Sequence, residues 1–364
     1  MSIPPQLEGC KVPQETCSLQ FLQGRQAGKV QSLAGLLPEE LSQLPGVQPA
    51  FRGMQLFKWM ASGATSFFQM QNLSKNLRQE LEENYVVRSS FVSKKLVDPD
   101  GTIKLQLTLH DGKCIETVLL TDKDGRKTAC VSSQVGCGMA CAFCQTGRLG
   151  FSRNLEPAEI VEQFQFLEET VGRLDNIVFM GMGEPLLNLE AIRKAVAVLT
   201  HPEGRNLSGR RITLSTCGII SGIYDLADNG PALKLAISLT TADAELRQQL
   251  MPVTAGNPLD KLRQAIIYYA EKTGRRCTLE AALLAGKNTG KESANRLISF
   301  ARGLNCHINL IPWNPVEGLP FQEPSAKECK ALIHQLENAG LNVTLRHRRG
   351  RKIGGACGQL GKTE

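Results

Sequence analysis

At 364 residues the chain is long enough for one large domain with an accessory segment, or for two ordinary domains. No run approaches the roughly 18 apolar residues of a membrane-spanning helix, and the opening MSIPPQLEGCKVPQE has prolines and acids where a secretory signal needs an apolar core, so a cytoplasmic protein with no membrane partner is expected. Twelve cysteines without such a signal point to metal or redox chemistry more than to a disulfide framework, and a net charge of +7 suits a polyanionic partner without requiring one.

In chain order, residues 1–30 contain Gln, Pro and Gly without strong periodicity and are expected to be poorly ordered. An accessory module is expected over 31–108. Within it, residues 33–84 read as short helices, with Leu56, Phe57 and Met60, then Leu73, Leu77 and Leu81 at helical spacing, and residues 91–109 read as extended. From about Arg126 the pattern changes. Strands are predicted at 128–133, 176–180, 211–215, 233–239, 277–283, 307–311 and 342–345. Between them lie amphipathic stretches such as 157–171, with Ile160, Val161, Phe164 and Leu167 on one face, and 259–272, with Leu262, Ile266 and Tyr269. This βα rhythm predicts an α/β fold, a partial or complete parallel barrel over 109–345, whose functional groups gather at the C-terminal ends of the strands. Residues 346–364 form a basic, Gly-rich tail, beginning Arg346-His347-Arg348-Arg349-Gly350-Arg351-Lys352, that is expected to be mobile.

Cys137, Cys141 and Cys144 form C-x3-C-x2-C in a Gly-containing loop directly after a predicted strand. A tetrahedral zinc site would want a fourth Cys or His at short range, and no histidine lies nearby in sequence. Cubane iron–sulfur clusters usually take four cysteines, so a set of three leaves one iron open to bind a substrate. Downstream, Gly181-Met182-Gly183-Glu184-Pro185 follows an apolar strand; Gly183 permits close backbone approach, and Glu184 offers a negative charge to a cationic ligand.

The cysteine spacing, the aromatic Phe143 inside it and the Gly-Met-Gly-Glu-Pro segment resemble the radical S-adenosylmethionine (SAM) superfamily. More narrowly, the chain resembles the ribosomal RNA adenine methyltransferases of that superfamily. The match is carried by Phe51-Arg52-Gly53-Met54-Gln55-Leu56, Asn72-Leu73-Ser74-Lys75, Cys130-Val131-Ser132-Ser133-Gln134-Val135-Gly136-Cys137, Asn309-Leu310-Ile311-Pro312-Trp313-Asn314-Pro315 and Ala356-Cys357-Gly358-Gln359-Leu360. The resemblance implies a radical SAM barrel, complete or partial, with a small helical N-terminal domain of RNA-binding type, working as a monomer. It implies a 4Fe–4S cluster on Cys137, Cys141 and Cys144, with SAM on its open iron, and an electron donor such as flavodoxin or ferredoxin. Cofactor contacts carry over to Gly183, Glu184, Ser215, Ser238, Leu239, Thr240 and Asn314.

The implied product is adenine methylated at carbon 2 in 23S rRNA and, in some members, tRNA; a sister group methylates carbon 8. Amidine carbons are not nucleophilic, so a radical route replaces ordinary transfer. In the family a C-terminal cysteine, matched here by Cys357, is first methylated; its S-methyl group then loses hydrogen to an adenosyl radical and adds to the base. Cys130 matches the thiol that releases the product by forming a transient disulfide with Cys357. Glu116 matches the residue that takes the proton from the adenine carbon. Arg346–Lys352, with Arg205, Arg210 and Arg211, are candidates for phosphate contacts, and Trp313 fits base stacking and core packing equally well. The chain departs from close relatives at Leu239-Thr240-Thr241, where a His-Ala pair is common, and at Arg351-Lys352-Ile353-Gly354-Gly355, where they carry acids. The modified carbon and the RNA stay open on these grounds. A different class, a non-catalytic RNA-binding protein with zinc or an iron–sulfur cluster, would need none of Glu116, Cys130 or Cys357.

Overall fold

The computed structural model describes residues 31–361; the expectation for residues 1–30 lies outside them. Among the described residues twelve strands run in chain order: β1 Phe91–Val97, β2 Ile103–Thr108, β3 Cys114–Thr121, β4 Lys127–Cys130, β5 Gln134–Gly136, β6 Phe151–Asn154, β7 Asn176–Phe179, β8 Ile212–Thr216, β9 Lys234–Ser238, β10 Cys277–Leu283, β11 Cys306–Pro312 and β12 Val343–Leu345. Ten of them form one sheet in the order β1-β2-β3-β4-β7-β8-β9-β10-β11-β12, and β5 pairs with β6 apart. From β4 to β12 every neighbouring pair in this sheet is parallel. β12 and β1 are the two ends of the order, so the barrel is the partial form of the α/β fold expected.

The crossover helices follow from local chemistry. Pro157–Val171 begins with Pro at its first turn and a reciprocal cap, in which the Glu156 N–H donates to Glu159 Oε2 at 2.8 Å, and it ends at Gly172 with φ 76°. Its buried face holds Ile160, Val161, Phe164 and Leu167, each worth about 2 kcal/mol of burial. The helix Leu259–Thr273 buries Leu262, Ile266 and Tyr269, as its spacing predicts.

The N-terminal helices Phe51–Ala61 and Lys75–Asn84 bury Leu56, Phe57 and Met60, and Leu77 and Leu81, respectively, in the same core. Glu162, on the inner face of Pro157–Val171, accepts from Ser32 Oγ at 2.7 Å, from the Ser89 and Ser90 N–H groups at 2.9 and 3.0 Å, and from the Ser90 hydroxyl. One buried carboxylate thus pins both ends of the helical module to the barrel. The extended stretch that follows becomes the hairpin β1–β2, which β3 continues into the main sheet through antiparallel pairs. Among the described residues no helix is long and apolar enough to cross a membrane.

Candidate active site

The C-terminal ends of the parallel strands and the three-cysteine loop enclose a cavity of about 180 Å³. Cys137, Cys141 and Cys144 all line it, as do Gly183 and Glu184 after β7, Ser215 at the end of β8, Ser238 and Thr240 at the end of β9, and Asn314 after β11. Separated in sequence by up to 177 residues, these groups meet because parallel strands all end on one rim.

The loop is held from several sides. The Ala142 N–H donates to the Leu250 carbonyl at 2.9 Å, the Cys144 N–H to Cys141 O at 3.1 Å, and the Cys137 N–H to Gly150 O at 2.8 Å. Trp313 is buried and lines the cavity, and its indole Nε1 donates to the Phe143 carbonyl at 2.9 Å, a bond that ties this loop to the end of β11. Gly136 has φ 76°, and a Cβ there would sit 2.0 Å from Gly150 O, so glycine is required. Among the described residues no group of three or more His, Cys, Asp or Glu side chains is gathered to hold a single ion. Each iron of a cubane takes its own thiolate, and the three thiols of the loop, all lining one cavity, suit three corners of a cluster and leave the fourth open. Burial raises the pKa of all three thiols, to about 11 for Cys137, so cluster assembly must displace protons from them.

Other lining groups fit a polar cofactor. Asn314 donates from Nδ2 to the Cys357 carbonyl at 3.1 Å, while its Oδ1 is buried without a partner among the described residues. Such an orphan acceptor is costly unless a ligand donates to it. Gly183 has φ +102°, and a Cβ there would lie 2.6 Å from the Gln134 Cβ. Glu184 is buried and accepts from the Leu186 N–H at 3.1 Å and the Cys217 N–H at 2.8 Å; burial raises its pKa. Thr240 has φ 61°, a strained conformation for a β-branched residue, at the strand end facing the cavity. Leu239 is placed differently from its neighbours. It is fully buried in the core and outside the cavity lining, its N–H donates to Ile237 O, and its carbonyl accepts from Arg247.

A second cavity, of about 630 Å³, lies alongside. Cys130, Arg346, His347, Arg348 and Arg349 line it, and it shares Met180, Ile311, Asn314 and Cys357 with the first. Cys357 therefore stands in the wall between a cysteine-lined chamber and a basic one. Burial is the first cause that pushes the Cys130 thiol up to about 12, with Cys357 adding to it and Arg346 opposing. Cys357 in turn raises the pKa of Arg346. Both thiols are free.

The structure does not bring Glu116 to that wall. Its carboxylate is buried, lines a separate cavity of about 530 Å³, pairs with Lys104 Nζ at 2.7 Å, and accepts from the Gly361 N–H at 2.6 Å. The tail, expected to be mobile, is tied to the rest of the protein through its described residues. Gln145 N donates to Gly358 O at 2.8 Å, Thr146 Oγ1 to Leu360 O at 2.7 Å, and Gln359 Nε2 to Pro315 O at 2.8 Å. Some of the basic groups are engaged within the protein: Arg205 pairs with Glu168 at 2.8 Å, and Arg348 and Arg351 both pair with Glu323. Two lining residues escaped the sequence reading. Cys217 lies in the cofactor cavity, and Glu280, buried inside β10, accepts from Ser215 Oγ and Asn309 Nδ2 at 3.2 Å each. An acid within an otherwise apolar strand was the available signal for Glu280.

Two family patterns match. The one described as "Radical SAM superfamily" covers residues 131–297, and the one described as "Ribosomal RNA large subunit methyltransferase N-terminal domain" covers residues 46–87. A relative in Treponema pallidum (strain Nichols), "Probable dual-specificity RNA methyltransferase RlmN", is 53% identical over 91% of this chain and 98% of its own length. A relative of the same description in Treponema denticola is 57% identical over 91% of this chain and 96% of its own. Among solved structures, a radical SAM methyltransferase from Sphaerobacter thermophilus superposes with a TM-score of 0.87 at 39% identity, over 91% of this chain and 99% of that one.

Proposed function

Because the chain belongs to the RlmN family of radical SAM RNA methyltransferases, and is an enzyme of that kind acting on RNA, we propose that it methylates carbon 2 of an adenine in 23S rRNA and in tRNA, with Cys357 as the methyl carrier. The observation that carries the role of Cys357 is its place in the wall shared by the two cavities. A methyl group accepted on its sulfur from one side need move little to reach a base held on the other.

Cys137, Cys141 and Cys144 would hold the 4Fe–4S cluster, and Gly183, Glu184, Ser215, Ser238, Thr240 and Asn314 would surround SAM, with Leu239 shaping the strand end from behind. When bound, cluster and SAM supply the methyl group and one-electron, hydrogen-abstracting chemistry. Arg346 and its basic neighbours would hold phosphates around the flipped base. After the base is attached to the Cys357 sulfur through the methyl carbon, the Cys130 thiolate attacks that sulfur. The S–S bond forms and the C–S bond breaks with its electron pair moving to the methylene carbon, which takes up a proton to become the methyl group; before this the adduct gives up one electron and the proton of the adenine carbon. Glu116 is assigned to take that proton, which requires it to leave the Gly361 N–H first. Residues 31–108 would serve as the RNA-binding domain, 109–345 as the catalytic barrel and 346–364 as the methyl-carrying tail. The same reading calls for a donor such as flavodoxin or ferredoxin, a cytoplasmic setting that keeps thiols reduced, and action as a monomer.

The test is mass spectrometry of nucleosides from unmodified 23S rRNA and tRNA incubated anaerobically with reconstituted enzyme, reductant and SAM. 2-Methyladenosine is expected in both, and Cys357→Ala should abolish it without loss of cluster absorbance. 8-Methyladenosine alone, or methylation by the Cys357→Ala variant, would overturn the assignment.

A further inference from the structure

The segment carrying Cys357 is gripped by the hairpin β1–β2 and by β3, elements that contribute nothing to the cofactor cavity. Lys104 in β2 stands opposite Val118, and Glu116 stands opposite Gln106, so the two are diagonal neighbours on one face of an antiparallel pair. Their side chains are both about 95% buried and meet at 2.7 Å. A buried ion pair is a weak source of net stability, because desolvating both charges offsets most of their attraction. This pair does something else: each partner spends a second bond on the tail. Lys104 Nζ donates to the Gly354 carbonyl at 3.3 Å, three residues before Cys357, and Glu116 Oε2 accepts from the Gly361 N–H at 2.6 Å, four residues after it. The hairpin turn adds two more bonds, from the Gly350 N–H to Asp100 Oδ2 at 2.8 Å and from the Lys352 N–H to Asp98 Oδ2 at 3.0 Å.

We infer that Lys104 is a positioning residue for methyl transfer: with Glu116 it forms a clasp that holds the tail on both sides of Cys357 and so fixes the sulfur in the wall between the two cavities. The inference rests on Cys357 as the methyl carrier, but the clasp has its own readout. Charge-assisted bonds are roughly twice as strong as neutral ones, and here they are buried, so few other contacts compete with them. The clasp also accounts for the state of Glu116. With Oε1 on Lys104 and Oε2 on Gly361, both its oxygens are occupied as long as the tail is seated.

The experiment compares reconstituted full-length wild type with Lys104→Met, Lys104→Arg and Asp98→Ala. Amide hydrogen exchange over residues 350–361 is measured together with cluster absorbance and steady-state RNA methylation. In Lys104→Met, exchange in that segment should rise about tenfold or more, kcat should fall at least tenfold, and the KM for RNA should change less than threefold at full cluster content. Lys104→Arg should restore most of both values. Asp98→Ala, which leaves the buried pair intact, should loosen the segment by about threefold, and it guards against a Lys104→Met protein that fails to fold. Unchanged exchange over 350–361 in Lys104→Met and Asp98→Ala would overturn the clasp, as would a raised KM with unchanged kcat, the mark of a lysine that only binds RNA. If wild type transfers no methyl group, the proposed function fails while the exchange comparison still decides the clasp.

Discussion

Trp313→Phe isolates one bond between the barrel and the cysteine loop. The indole Nε1 donates to the Phe143 carbonyl at 2.9 Å, and Phe143 lies between the second and third cysteines. Trp313 itself is anchored by its own N–H to Leu283 O at 3.0 Å and by an edge-to-face contact with Phe321 at 5.8 Å, so a phenyl ring can keep the packing while losing the donor. Losing a neutral hydrogen bond costs about 0.5–1.5 kcal/mol, rising to about 1–3 if the acceptor is left without a partner. Phe143 is half-buried, which lets water reach its carbonyl and favours the lower end, about 1 kcal/mol. Release of ferrous iron to a chelator under anaerobic conditions should therefore quicken by about fivefold, with little change in the thermal unfolding midpoint of the protein. A release rate equal to wild type would refute the supporting role. A hundredfold acceleration with a lowered midpoint would show that Trp313 sustains the core as a whole.

Three further outcomes are expected. With the Cys130 thiol at about 12, almost none is ionised near neutrality, so decay of the protein–RNA adduct should speed up about tenfold per pH unit from pH 7 to 9 when followed on denaturing gels; a flat profile contradicts Cys130 as the attacking thiolate. Gly183→Ala places a methyl 2.6–2.7 Å from the Gln134 Cβ, Cγ and backbone N at φ +102°, a strain of about 3 kcal/mol; the strand end should shift and SAM affinity, read by equilibrium dialysis, should drop at least tenfold. Glu162→Ala strips the acceptor from the Ser32 hydroxyl and the Ser89 and Ser90 N–H groups, so urea unfolding should show a loss of about 3 kcal/mol, and exchange should rise first in the N-terminal helices.

Residues whose surroundings are local were readable from the sequence. The helix Pro157–Val171 announces itself by its proline, its paired glutamates, its four-residue apolar face and the glycine after it. Parallel strands are marked by their β-branched and aliphatic residues, and once they are placed the candidate cofactor residues fall at or just after their ends. Long-range polar contacts were not readable. Lys104 meets a carbonyl 250 residues away and Glu116 an N–H 245 residues away, and no local pattern marks either. β3 itself went unassigned, and with it the register that sets the two side by side.

The tail shows why composition misleads here. Gly354, Gly358 and Gly361 have φ of 60°, 83° and 100°, so glycine is needed for the path the backbone follows and does not by itself signal motion. The order comes from elsewhere: the Asn314 amide holds the Cys357 carbonyl, the Gln145 N–H holds the Gly358 carbonyl, and the buried pair holds the positions on either side. Each bond crosses from a different part of the chain, so the tail is fixed only when hairpin, cysteine loop and barrel are all in place. Cys357, which lines both cavities, would gain from this arrangement as the methyl carrier proposed above. Its resting position is defined by several separate bonds, and the glycines let the backbone move once these break.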